Sequence, residues 1–152
     1  MIYILSVFFV IIGLINIGRG RNIKIRPGIN SMDIISAIII AVLFLVMAFF
    51  LKSGLLETIS LAAAVIFYML TTRYARGITE RGVVISGGNF LFLREYRFSE
   101  LKQVNVSNDG DLVSFAIVVA QRNFVDIQRY PKELKPDLVK IFKDNNVIII
   151  YK

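Results

Sequence analysis

The chain has 152 residues, 56% of them apolar, a net charge of +7 and a mean hydropathy of +0.67. It contains neither cysteine nor histidine. That excludes disulfides, thiol nucleophiles, Cys/His zinc sites and a histidine general base.

The averages mix two halves. Residues 1–76 carry seven Lys/Arg and two acids, a net +5, whereas residues 77–152 carry eleven and nine, a net +2. The basic excess thus lies beside apolar segments, where anionic lipid headgroups rather than nucleic acid supply the counter-charge. Residues 1–18 hold no charged side chain. No basic segment precedes them, and Ile15-Asn16-Ile17 is a poor cleavage context. A signal peptide needs both features, so the spacing predicts an uncleaved transmembrane helix.

Residues 19–32 form a basic loop with Arg19, Arg21, Lys24 and Arg26. Pro27-Gly28 signals a turn, and Asn30 or Ser31 can cap the next helix. Ile23 and Ile25 alternate with Lys24 and Arg26. This is either a short strand on the soluble half or interfacial anchoring, and the second is preferred.

Two further spans are expected at residues 33–51 and 55–72, joined by Lys52-Ser53-Gly54. Each apolar run would be about 27 Å long as a helix, against roughly 30 Å of bilayer hydrocarbon. Ala37, Ala41 and Ala48 should face Ser60, Ala62, Ala63 and Ala64 in a close hairpin, since small residues let helices approach in lipid. Glu57 is the candidate intramembrane polar site. It lies one turn from the outer boundary, within reach of water or Lys52, which favours a structural role.

Three spans place the basic loop, Arg73 and Arg76 on one side. The inside-positive bias then puts the N-terminus outside and residues 77–152 in the cytoplasm. Tyr3, Tyr68 and Tyr74 fit interfacial belts. Arg19, Arg21, Lys24, Arg26, Arg73 and Arg76 are the candidate contacts to anionic lipid.

From Gly77 the period changes from helical to alternating. Short strands are expected at 83–86, 90–96, 101–106 and 112–120, with another beginning at 124–127. Turns fall at Arg81-Gly82, Gly87-Gly88-Asn89, Asn108-Asp109-Gly110 and Gln121-Arg122-Asn123. Residues 136–145 form the one soluble helix, with Leu134, Leu138, Ile141 and Phe142 on one face. Residues 147–151 suit a closing strand.

The run Gly77-Ile78-Thr79-Glu80-Arg81-Gly82-Val83, then Ser86-Gly87-Gly88, then Tyr96-Arg97-Phe98-Ser99-Glu100-Leu101, then a Pro-led helix resembles bacterial PH-like domains fused to membrane helices. In those families a G-I-x-x-x-G strand pair leads to an aromatic, an acid and an aliphatic residue. Phe98, Glu100 and Leu101 fill those places, although the common Trp is absent. The resemblance covers residues 77–145. It implies a partly open barrel plugged by a helix, in a bacterial cell membrane, and no catalytic residue.

Gly87-Gly88-Asn89 lacks the Lys-Ser/Thr and helix of a phosphate loop, and Asn108-Asp109-Gly110-Asp111 lacks the rest of a calcium loop. No catalytic, cofactor-binding or metal-binding residue is assigned. The expected fold is an α+β membrane protein: three transmembrane helices in residues 1–76, then a cytoplasmic PH-like antiparallel barrel or sheet with one helix in residues 77–152. The expected function is a non-enzymatic anchored module that binds a protein partner, lipid or itself. The alternative is a small transporter or channel subunit working through an oligomer of the helices.

Overall fold

The computed structural model describes residues 2–28, 31–50, 54–86, 92–120 and 125–152. The turns expected at Gly87-Gly88-Asn89 and Gln121-Arg122-Asn123, the Asn30 or Ser31 cap, the Lys52-Ser53 link and the packing of Ala37 and Ala48 lie outside what is described. The architecture is α+β, with four α-helices and two sheets among the described residues. The chain forms two compact units, Met1–Arg21 with Ile29–Ala75, and Asn22–Gly28 with Arg76–Lys152.

The first unit holds α1 (Ile2–Gly20), α2 (Ser31–Phe50) and α3 (Leu55–Tyr74). Among the described residues two helices, α1 and α3, are long and apolar enough to cross a membrane. The three expected spans are corrected to two on this measure. In α2 the described apolar stretch is Ile34–Met47, shorter than the roughly 17–25 residues a span requires.

The helices pack differently from the expected hairpin. α1 lies along α3, and the two run in the same direction: Ser6 Oγ meets Ser60 Oγ at 3.4 Å, and Asn16 Nδ2 donates to Thr72 Oγ1 at 2.9 Å. The face of α1 turned inward carries Ile2, Ser6, Phe9, Gly13, Asn16 and Gly20. These alternate at steps of four and three, the seam spacing of paired helices. Leu61, Ala64, Tyr68 and Thr71 repeat the pattern on α3. A Cβ added at Gly13 would lie 2.5 Å from the Phe67 ring, and one at Gly20 would lie 2.5 Å from the Tyr74 ring. Glycine is therefore what brings these backbones close. α2 joins through Phe44, whose ring meets Phe9 edge-on at 6.0 Å.

The second unit holds β1 (Gly77–Ile78), β2 (Gly82–Ser86), β3 (Leu93–Arg97), β4 (Leu101–Asp109), β5 (Leu112–Val119), β6 (Val125–Pro131), α4 (Lys135–Asp144) and β7 (Ile149–Tyr151). One sheet has the order β1-β2-β3, the other β6-β5-β4-β7. The expected barrel is corrected to two open sheets. The antiparallel expectation also fails at β7, which pairs in parallel with β4, Val104 opposite Ile149. The cause is the end of α4. Asn146 takes a left-handed φ of 58°, Val147 N–H bonds back to Phe142 O, and the chain returns along β4.

Residues 22–28 belong to this unit rather than to the helices. Ile78 N–H donates to Ile25 O at 2.9 Å, Lys24 N–H to Ile78 O at 2.8 Å, and Gly28 N–H to Arg129 O at 2.8 Å. The alternation at Ile23 and Ile25 is thus a strand-like seam on the second unit, not the interfacial anchoring preferred above. Gly77 has a φ of 138° and a Cβ there would strike Ile25 O; a Cβ at Gly82 would strike the backbone of Tyr96. Between them Thr79 Oγ1 accepts from Arg81 and Gly82 N–H and donates to Glu95 Oε1 at 2.6 Å. The G-I-x-x-x-G string is a tight turn with close backbone on both sides.

The core joins both sheets to α4. Phe142 stacks on Phe115 at 5.9 Å and meets Phe98 edge-on at 5.9 Å. Glu100 caps its turn by accepting from Arg97 N–H at 2.8 Å, and Leu101 is buried. The Phe-x-Glu-Leu string therefore serves packing and capping.

Replacing Gly13 by Leu should cost about 1–3 kcal/mol, the usual range for overpacking a tight contact. The measurement is thermal unfolding of the full chain in detergent, beside Gly18→Leu, where a Cβ would meet nothing within 4 Å. Equal melting of the two variants would contradict the α1–α3 seam.

Candidate functional site

The six basic candidates divide between the units. Arg19, in the last turn of α1, Arg21, just beyond it, and Arg73, in the last turn of α3, belong to the first. Lys24, Arg26 and Arg76 belong to the second. Cations at helix C-termini also complement the helix dipole. Lys24 is engaged locally, its Nζ 2.6 Å from Glu80 Oε1. The hydrogen bond and charge of Lys24 lower the Glu80 pKa below the ordinary carboxylate value.

Arg76 is more deeply held. Its Nη2 is 2.7 Å from Asp126 Oδ1 and donates to Ile127 O at 3.3 Å. From there a buried polar chain runs inward. Gln128 Nε2 donates to Asp126 Oδ2 at 3.0 Å and to Val84 O at 3.0 Å, so it ties the two sheets together. Tyr130 OH donates to Gln128 Oε1 at 2.5 Å. Burial, and then the Asp126 charge, push the Tyr130 pKa up, so the phenol remains a donor. Both hydrogens and the oxygen of the Gln128 amide are used, as a buried amide requires. Arg76 Nε is buried without a hydrogen-bond partner.

This network gives β6 a reversed pattern. Asp126, Gln128 and Tyr130 face the core, while Val125 and Ile127 face out. From the sequence only the beginning of that strand was expected, at 124–127, and its buried polar members were not singled out. The signal was there: Asp126, Gln128 and Tyr130 keep strict period two with Val125 and Ile127. It also missed Ser6, Asn16 and Thr72, whose signal is the seven-residue spacing of Ser6, Gly13 and Gly20.

Glu57 sits in the first turn of α3, half-exposed, its backbone O accepting from Ser60 Oγ at 2.8 Å. Anions are favoured at that end of a helix. Among the described residues no group of three or more His, Cys, Asp or Glu is placed to hold a metal. No protein-family model matches the chain, and comparison with curated proteins and with solved structures finds no match.

Two outcomes follow. Arg76→Gln should cost about 2–3 kcal/mol, at or just below the range for breaking a buried pair because Arg76 is partly exposed, and Asp126→Asn in the same chain should recover part of it. Denaturant unfolding of the full chain measures both, and additive losses would contradict the coupling. Lys24→Gln should raise the Glu80 pKa towards its ordinary value. A lowered folded pKa stabilises above the unfolded pKa, and that contribution is lost as pH falls through the folded value. NMR titration of the Glu80 carboxyl checks this; an unmoved midpoint would refute the Lys24 assignment.

Proposed function

We propose that this protein is a membrane-anchored, non-enzymatic interaction module. Its apolar helices cross a bacterial cell membrane, with the N-terminus outside. The second unit is a cytoplasmic PH-like module that binds a protein partner, lipid or its own kind.

The supporting observation is the uncovered hydrocarbon of all three helices. Ile4 is 72% exposed, Phe49 81% and Leu56 77%, amid neighbours such as Ile38, Leu43, Ile59 and Leu70 that are also exposed. A water-soluble surface does not carry contiguous apolar area of this extent. A bilayer accepts it, and the helical backbone satisfies its own hydrogen bonds there. The polar members of the helix seam, Ser6, Asn16, Thr71 and Thr72, bond to backbone or to one another, as helix association in lipid favours. The PH-like reading rests on the order of short strands closed by one helix whose apolar face completes the core. Arg19, Arg21, Lys24, Arg26 and Arg73 set the orientation and meet anionic headgroups, each cation near the surface contributing about 1 kcal/mol, whereas Arg76 is committed to Asp126.

The chain should resist alkaline extraction from membranes. Changing Arg19, Arg21, Lys24 and Arg26 together to Gln should produce a fraction of inverted molecules and weaken binding to anionic vesicles. Protease protection of the C-terminal half in sealed vesicles reads the first and flotation the second. Unchanged orientation and flotation would remove the role given to these residues. Pull-down from native membranes, with and without residues 77–152, tests the module itself. Partners that persist without that half would move the function to the helices.

A further inference from the structure

The inverted strand β6 has a consequence on the outer side of its sheet. Strand register aligns Ile150 with Asn105, Asn105 with Ala116, and Ala116 with Ile127, so these four form one row across all four strands. The next row aligns Gln103 with Val118 and Val118 with Val125. Ile148 extends it, its carbonyl accepting from Val104 N–H. Residues in register share a face of the sheet. Ile127, Ile148, Val125 and Ile150 are exposed, at 54%, 62%, 48% and 38%.

The face is therefore apolar at both edges, with one amide pair between, Gln103 Nε2 donating to Asn105 Oδ1 at 3.0 Å. Register is fixed against the ordinary preference. A one-residue slip of β6 would bury Val125 and Ile127 and expose Asp126 and Gln128. The Arg76–Asp126–Gln128–Tyr130 chain holds the opposite arrangement.

We infer that this outer face of the β6-β5-β4-β7 sheet is a self-association surface, which a second copy of the chain covers face to face. Three features select that occupant. Neither row contains a charged residue, in a chain of net charge +7. A two-fold interface sets a patch against itself, so any charge in it would meet its like. Amides are donors and acceptors at once, so Gln103 and Asn105 can satisfy their counterparts across the axis. Anionic lipid or a charged peptide would instead want cations or anions in the rows themselves, whereas charge enters only at the next row, with Ser107, Ser114, Arg129, held by Asp109 at 2.8 Å, and Lys152 at its end. Two sheets packed face to face are a stable arrangement. Confinement to one membrane raises the effective concentration of the copies.

This inference rests on the anchored reading proposed above, and its test separates the two. The chain has no cysteine, so a single introduced one is unique. The full chain carrying Ala116→Cys, near the centre of the face, is oxidised in the membrane fraction beside Lys140→Cys, on the exposed side of α4. Disulfide dimer from Ala116→Cys and none from Lys140→Cys is expected. Adding Ile127→Asp or Ile150→Asp, both at exposed positions, should abolish the cross-link and shift the purified protein from dimer to monomer mass. Recovery in the membrane fraction with no dimer overturns the interface and leaves the anchor standing. Absence from that fraction overturns the anchor. A dimer that survives both Asp variants, or a monomer whose Ala116→Cys thiol is shielded by anionic vesicles, also overturns the interface, the latter in favour of lipid.

Discussion

Uncovered hydrocarbon is the constraint on which the first unit depends. Its helices pair through a narrow seam and leave most of their side chains facing outward. In water such a surface would collapse or aggregate. In hydrocarbon it costs nothing, and association must then come from close packing and internal hydrogen bonds. Gly13 and Gly20 supply the closeness, and Asn16 with Thr72 supplies the bond. The seam explains why α1 lies along α3 rather than leaving the α2–α3 hairpin to stand alone.

The second unit depends on a different device. Its core is ordinary: aliphatic strands and the Phe98–Phe142–Phe115 cluster. What fixes its details is polar. Asp126 and Gln128 are buried, and their mutual bonds with Arg76, Tyr130 and Val84 set both the pairing of the two sheets and the facing of β6. Burying such groups is costly unless every partner is met, so the network specifies one register rather than adding net stability. The apolar outer side of β6 is its direct counterpart.

Much of this was legible in the sequence, for physical reasons. Runs of hydrocarbon announce their helices, and Leu138 with Phe142 announces the buried face of α4. The Gly77 and Gly82 motif announced a turn, and the structure supplies the reason in backbone contact. Three things were not legible. The third span depends on an apolar stretch whose described part, Ile34–Met47, is short. Sheet closure and the parallel pairing of β7 depend on how far the chain travels after Asn146, which no local pattern encodes. The fate of residues 22–28 depends on a long-range pairing with Ile78 that a four-residue alternation cannot decide. For the candidate site, charge patterning located the cations, but only geometry showed that Lys24 and Arg76 already hold acids.

The central claim is that the helices cross a bilayer and hold the second unit on its inner side. Single cysteines at Gly54, just ahead of α3, and at Lys140 on α4 test it directly with a membrane-impermeant maleimide on intact cells and on inverted vesicles. The account predicts that Gly54→Cys reacts only from outside and Lys140→Cys only from inside. Labelling of both from the same side would contradict it.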